Sequence, residues 1–298
     1  MDEYDVNELR YQITLVNYYP DTDFNHGYTQ FANVRFDVQE EEEIFYHTNV
    51  LSFNDSVGAN MPNPSLGFGD NSTGSDVFNV LQKFLKNKQV TLCGALVYIL
   101  AKRYPIENAL DDLVAQLRKN HVFVYVVAHD VPSGGNNPEA LCDVAVRTNG
   151  FCVFDSGFHF WATVGDMAVV SCIPNQFVSQ SFTVNGSGRL EMPVFQTPNP
   201  YDSYDEAVFV VITVENHKLT NFVSLNYTIA SLDGSFVWIG PSPSGPMKGT
   251  ALLDQPDLDG LVNYKWTIDY YFSNDEPQII ETRLYSHYYH DFLPLPDN

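Results

Sequence analysis

Few residues in this chain have the types and spacing to do chemistry. His129 and Asp130 adjoin at the end of the apolar run "HVFVYVVA" (121–128), where ligand crevices of such sheets open, although a structural role is favoured for the pair. His287, His290 and Asp291 in "SHYYHD" could hold a transition metal, but an aromatic-rich strand end favours a structural role. Asp254, Asp257 and Asp259 in "DQPDLDG" resemble an ion loop, yet an EF-hand needs an acid at Gln255 and a Glu at Trp266, so the stretch reads as a solvated turn. Pairs such as Asp111–Asp112 carry little weight in a chain with 37 acidic residues. No G-x-S-x-G elbow, H-E-x-x-H helix or H-x-E with P-C-x-x-C is present, which removes the easily recognised hydrolase, metalloprotease and deaminase signatures.

The glycines of "PSGGNNPEAL" follow an apolar segment and precede a helical pattern, the place where many α/β proteins hold phosphate. A dinucleotide fingerprint needs G-x-G-x-x-G and a P-loop needs Lys-Ser/Thr after its glycines; neither is here. Gly134 and Gly135 therefore read as a tight turn, with Pro138 in the first helical turn, where a missing N–H costs little.

Fifteen basic against 37 acidic residues give a net charge of -22, a field that repels nucleic acid and anionic lipid. The run Glu40 to Glu43 reads as a solvated charged face. No apolar stretch reaches the length of a membrane span, and "MDEYDVNELR" is too acidic for a secretory signal. The chain is thus expected in the cytoplasm, or outside the cell if a leader precedes Met1. Cys93, Cys142, Cys152 and Cys172 lack C-x-x-C spacing and read as small core residues. Four N-x-S/T sequons, at Asn54, Asn71, Asn185 and Asn226, permit glycosylation without requiring it.

The elements that must position these residues change character along the chain. Continuous apolar runs at "YQITLV" (11–16), "ANVRFDV" (32–38), "LCGALVYIL" (92–100) and "HVFVYVVA" (121–128) suit strands covered on both faces of a mostly parallel sheet. Val77, Leu81, Phe84 and Leu85, with Ser75 as cap, and Leu110, Leu113, Val114 and Leu117, with Asn108 as cap, form amphipathic crossover helices. After about residue 160 the period becomes two. Val223, Leu225, Tyr227 and Ile229 share one face, as do Val262, Tyr264, Trp266, Ile268, Tyr270 and Phe272, and Asp233-Gly234 supplies a hairpin turn. The expected fold is a doubly wound α/β domain over 1–160 followed by an antiparallel β-sandwich over 161–298.

The ordered segments "ANVRFDV", "PNPSLGFGDNSTGSDVFNVLQKFL", "LCGALVYILAKRYP", "LVAQLRKNHVFVYVV", "PSGGNNPEAL" and "RTNGFCVF" resemble a nematode family of uncharacterised proteins with a von Willebrand factor A-like domain, over about residues 11–158. The resemblance implies a doubly wound fold that binds proteins through a metal held at the strands' C-terminal ends by D-x-S-x-S, a Thr and an Asp. Here the first motif reads "NYYPD" (17–21), Thr73 could stand for the Thr, and Lys102 and Arg103 occupy the place of the Asp. Cations there disfavour a divalent ion, so no metal and no cofactor is expected.

The expected function is therefore recognition of a protein or surface ligand, without catalysis. In a doubly wound sheet the crevice lies beyond the strands' C-terminal ends, which places Tyr18, Tyr19, Asp21, Arg103, Tyr104 and His129 on the ligand-binding face. The alternatives are a metal-dependent adhesion module with an altered site, and an enzyme using a crevice around Asn17, Thr73 and His129.

Overall fold

The segment "YQITLV", expected as the first strand, is helical. A computed structural model describes residues 3–18, 28–156, 160–198, 205–214, 219–241, 247, 249–288 and 291–293. In it α1 (Glu3–Tyr18) runs through that segment, with Glu3 and Asp5 in the first turn where the helix dipole favours acids. Val6, Leu9 and Ile13 recur at helical spacing and line one cavity, and the Gln12 amide donates to Glu8 one turn back at 2.8 Å. This longer period outweighs the β-branched Ile13, Thr14 and Val16 that suggest a strand.

The second expected strand is reduced to β1 (Phe31–Asn33), which pairs antiparallel with β2 (Phe45–His47). The helices α2 (Val50–Ala59) and α3 (Val77–Leu85) follow. Then come β3 (Leu96–Ala101), α4 (Asp111–Lys119), β4 (Phe123–His129), α5 (Pro138–Arg147), β5 (Cys152–Asp155) and α6 (Phe160–Ala168). Strands β3, β4 and β5 form a three-stranded parallel sheet in that order, so the parallel sheet is smaller than the sequence suggests.

Central β4 is buried along Val124 to Ala128, which explains its unbroken apolar run. Val77, Leu81, Leu113, Leu117, Leu141 and Val144 bring the crossover helices into one core with it. The caps differ from expectation: Leu110 stands at the N-cap of α4 and gives no side-chain cap, Asn108 instead accepts from Asn137, and Asp76 rather than Ser75 stands at the N-cap of α3. Asn137 caps α5, with Pro138 at its first position.

The chain divides into two compact units after Cys172. The division lies beyond residue 160 because α6 packs on α1 and β4 and so belongs to the first unit.

The second unit is antiparallel throughout. Its strands are β6 (Asn175–Val184), β7 (Ser187–Glu191), β8 (Phe195–Gln196), β9 (Asp205–Ala207), β10 (Phe209–Val214) and β11 (Phe222–Ser231). They continue with β12 (Val237–Gly240), β13 (Ala251–Asp254), β14 (Asp257–Asp259), β15 (Asn263–Phe272) and β16 (Gln278–Ser286). One sheet has the order β13-β10-β16-β6, a second β12-β11-β15-β7 with β8 on β15, and β9 pairs with β14 in a separate two-stranded ladder. Val210, Ile212, Ile280 and Leu284 of the first and Tyr227, Ile229, Trp266 and Ile268 of the second share one core.

Tyr264, Trp266, Ile268 and Phe272 point inward as their period predicts. Val223 does not: it is 50% exposed, because a bulge between Phe222 and Ser224 shifts the register and turns Phe222 toward Phe272 instead.

Candidate functional site

Arg103, in the loop after β3, holds the 68–73 segment that precedes α3 and lies beside Gly134 of the loop after β4. This side chain is 5% exposed. Its guanidinium donates to the carbonyls of Thr73 at 2.5 Å, Asp70 at 2.9 Å and Phe68 at 3.4 Å, and it lies over the Phe68 ring at 5.2 Å. Charge-assisted bonds of this kind are worth about 1.5–3 kcal/mol each, against about 0–1 for an exposed ion pair, so the local structure claims this arginine. Its neighbour Tyr104 is equally enclosed. The phenol donates to the His129 carbonyl at 2.8 Å and packs edge-on against Phe154, and burial pushes its pKa up.

Asp70 organises the loop that Arg103 holds. Its carboxylate accepts the N–H and hydroxyl of Ser72 at 2.8 Å each, and the N–H of Thr73 at 2.7 Å. The Thr73 hydroxyl donates to it as well. These donors, the Ser72 hydroxyl foremost, hold the Asp70 carboxyl down at about 2. The "DNST" sequence is an Asx-turn signal that could have revealed this.

The glycine turn closes the same loops. Tyr104 N–H donates to the Gly134 carbonyl at 2.9 Å, and Gly135 N–H to the Asn71 carbonyl at 3.3 Å. A Cβ on Gly135 would stand 1.7 Å from the Tyr104 carbonyl oxygen. The glycines therefore serve close backbone approach.

The other expected site residues separate. Tyr18 ends α1, while Tyr19 and Asp21 lie outside the described residues, as does His290. Since α1 is a helix, the segment before Tyr18 is not a strand opening onto the crevice. Asn17 is tied, its amide donating to Ile13 and its carbonyl oxygen accepting from Tyr28 N–H. His129 does reach the strand ends. Its Nδ1 accepts the Val131 N–H at 3.1 Å and lies 3.6 Å from Asp130, which also accepts from Ser156. The exposed groups on these loops include Lys102, Glu107, Ser133 and Asn136, with Ile106 at 51% and Val131 at 64% as the large apolar ones.

Other expectations are corrected by tertiary contacts. Asp254 is buried, accepting from the Tyr227 hydroxyl at 2.7 Å and the Trp238 indole, so it is no solvated turn residue. In the acidic run, Glu42 pairs with Arg35, and Glu41 and Glu43 with Lys83. Cys142 and Cys152 form a disulfide between α5 and β5.

Sequence reasoning also missed a cavity of about 1350 Å³ in the first unit, walled by α1, residues 28–38, α3 and the edge strand β3. Asp37 lies on its wall, and burial pushes that carboxyl up to about 7, with the nearby Asp76 charge adding to the effect. Such a group can exchange a proton near neutrality. Among the described residues no three His, Cys, Asp or Glu side chains converge as a metal site, and no helix is long and apolar enough to cross a membrane.

A family model described as a domain of unknown function (DUF7154) matches residues 180–287. No curated protein matches the chain. Among solved structures, the human COPII-coat protein Sec24c aligns with 94% of this chain and 41% of its own, at 8% identity and a TM-score of 0.41. A von Willebrand factor type A structure from Catenulispora acidiphila aligns with 95% of this chain and 53% of its own, at 9% identity and a TM-score of 0.38. The chain thus spans about half or less of these two proteins' lengths. At these identities and scores, neither assigns a residue or an activity here.

Proposed function

We propose that the chain is a non-enzymatic recognition protein: an A-like α/β domain, binding a protein or surface ligand without a metal through the loops after β3, β4 and β5, followed by a β-sandwich. The observation that carries this reading is the placement of Arg103. A divalent ion held by Thr73 or Asp70 would meet the guanidinium that already binds the carbonyls of both. Repulsion between charges of +2 and +1 within about 6 Å is roughly 5 kcal/mol at an effective dielectric of about 20. A millimolar calcium site gains only about 4 kcal/mol in all. The ion would also have to displace the Ser72 and Thr73 donors from Asp70.

With that cation fixed inside, the groups left for a partner include the exposed Lys102, Glu107 and Ser133 and the apolar Ile106 and Val131. The net charge of -22 supports a partner other than nucleic acid. Melting in calcium, magnesium and manganese tests the reading. The melting temperature should stay unchanged, since an ion at 100 times its dissociation constant adds about 2.7 kcal/mol. A clear rise that Thr73→Ala abolishes would replace this reading with the metal-dependent one.

A further inference from the structure

By spacing alone the four sequons are equivalent; the fold separates them. Asn54 lies half-buried on α2, and its side-chain oxygen accepts from Arg10 Nε at 2.6 Å and from the Thr14 hydroxyl at 3.2 Å, which holds the side chain against α1. An oligosaccharide on its nitrogen would have to fit beside those two bonds, where the side chain is half-buried. Asn71, Asn185 and Asn226 are exposed. Asn185 and Gly186, the latter at φ +55°, form the corner between β6 and β7, where the chain leaves one sheet for the other. Asn226 stands on β11 between the inward-facing Leu225 and Tyr227, and therefore points off the outer face of its sheet. Asn71 lies in the loop that Arg103 holds, where the backbone carbonyls are engaged and the side chain projects outward.

A second observation concerns the compartment. The Cys142–Cys152 disulfide links residues that are both buried in the first unit's core. Disulfides persist in oxidising compartments, the same ones in which sequons meet the glycosylating machinery.

We infer that the native chain bears N-linked glycans on Asn71, Asn185 and Asn226 and none on Asn54. In each transfer the Asn Nδ2 forms a bond to the anomeric carbon of an oligosaccharide donated by a lipid pyrophosphate. The sugar–phosphate bond breaks, one amide proton is lost and the lipid pyrophosphate leaves. The inference does not depend on what the loops after β3 bind.

The test uses the chain isolated from its own cells. An amidase that releases N-glycans converts each carrier Asn to Asp, so mass mapping should mark positions 71, 185 and 226 and leave 54 as Asn. Mobility on a denaturing gel should rise on treatment. Substituting the sequon hydroxyl in turn, by Thr73→Ala, Ser187→Ala and Thr228→Ala, should remove one step of the shift each while keeping every Asn. No change in mobility on treatment, with positions 71, 185 and 226 all still Asn, would overturn the inference, and alkylation of Cys142 and Cys152 without reduction would remove its argument from the compartment. Marking of Asn54 to the same extent as the other three would overturn the structural selection among sequons.

Discussion

Asp37 and Asp76 hold each other's backbone: the N–H of Asp37 donates to Oδ1 of Asp76 at 2.7 Å, and the N–H of Asp76 donates to Oδ1 of Asp37 at 3.0 Å. The pair ties the strand-like segment after β1 to the start of α3. It places one carboxyl beside another in a largely buried setting, which favours retention of a proton.

This pair makes stability fall with pH. In the unfolded chain an aspartate loses its proton near pH 4, to within about half a unit, whereas in the folded chain Asp37 keeps it up to about 7. Between those values the folded state binds more protons, so the contribution is full below the lower value and is lost as pH rises through the upper one. Asp37→Asn keeps an acceptor for Asp76 N–H and suits the φ of +61° at this position. The variant should be more stable than the parent at pH 8 by on the order of 1 kcal/mol, with the difference shrinking toward pH 4. Urea unfolding across that range measures it.

Arg103→Ala should destabilise the first unit by about 3 kcal/mol, because it strands carbonyls that now accept from a charged donor. Arg103→Lys restores the charge without the planar fork and should recover less than half of that loss. If both variants unfold at the parent's denaturant midpoint, the arginine is not what holds the 68–73 loop.

Two glycines with positive φ separate steric need from conformational preference. Gly135, at φ +73°, leaves no room for a Cβ, while Gly234, at φ +78°, has nothing within 4 Å. Gly234→Ala should cost about 1 kcal/mol, the ordinary penalty of the left-handed region. Gly135→Ala adds a clash with backbone that cannot move aside and should cost about 3 kcal/mol or abolish soluble expression. Thermal denaturation of the two variants side by side gives the comparison.

Joining residues 10 apart, the Cys142–Cys152 bridge closes a loop whose entropy is worth about 2.7 kcal/mol in the chain-entropy description. Replacing both cysteines with alanine should lower the unfolding free energy of the first unit by about that amount and remove its sensitivity to reductant. Equal midpoints with and without reductant in the parent would show that the bridge contributes nothing.

The sequence by itself determined the elements whose signal is local. Continuous apolar residues from Val122 to Ala128 mark β4 because a strand buried on both faces needs no polar alternation, and the two-residue period from Tyr264 to Phe272 marks β15 because one of its faces is wet. Pro138 after Asn137 marks the start of α5 because its geometry and missing N–H suit only that end. The tertiary structure decided whatever depends on residues distant in the chain. Ile13 to Val16 have the side chains of a strand but lie in a helix, since Val6, Leu9 and Ile13 together make an apolar face that a six-residue strand would leave unused. Arg103 is built like a binding residue but is spent on carbonyls about thirty positions earlier, and Asp37 finds Asp76 39 residues away. Side-chain type fixes what a group can bond to; only the packed chain fixes whether that bond is made inside the fold or left for a partner.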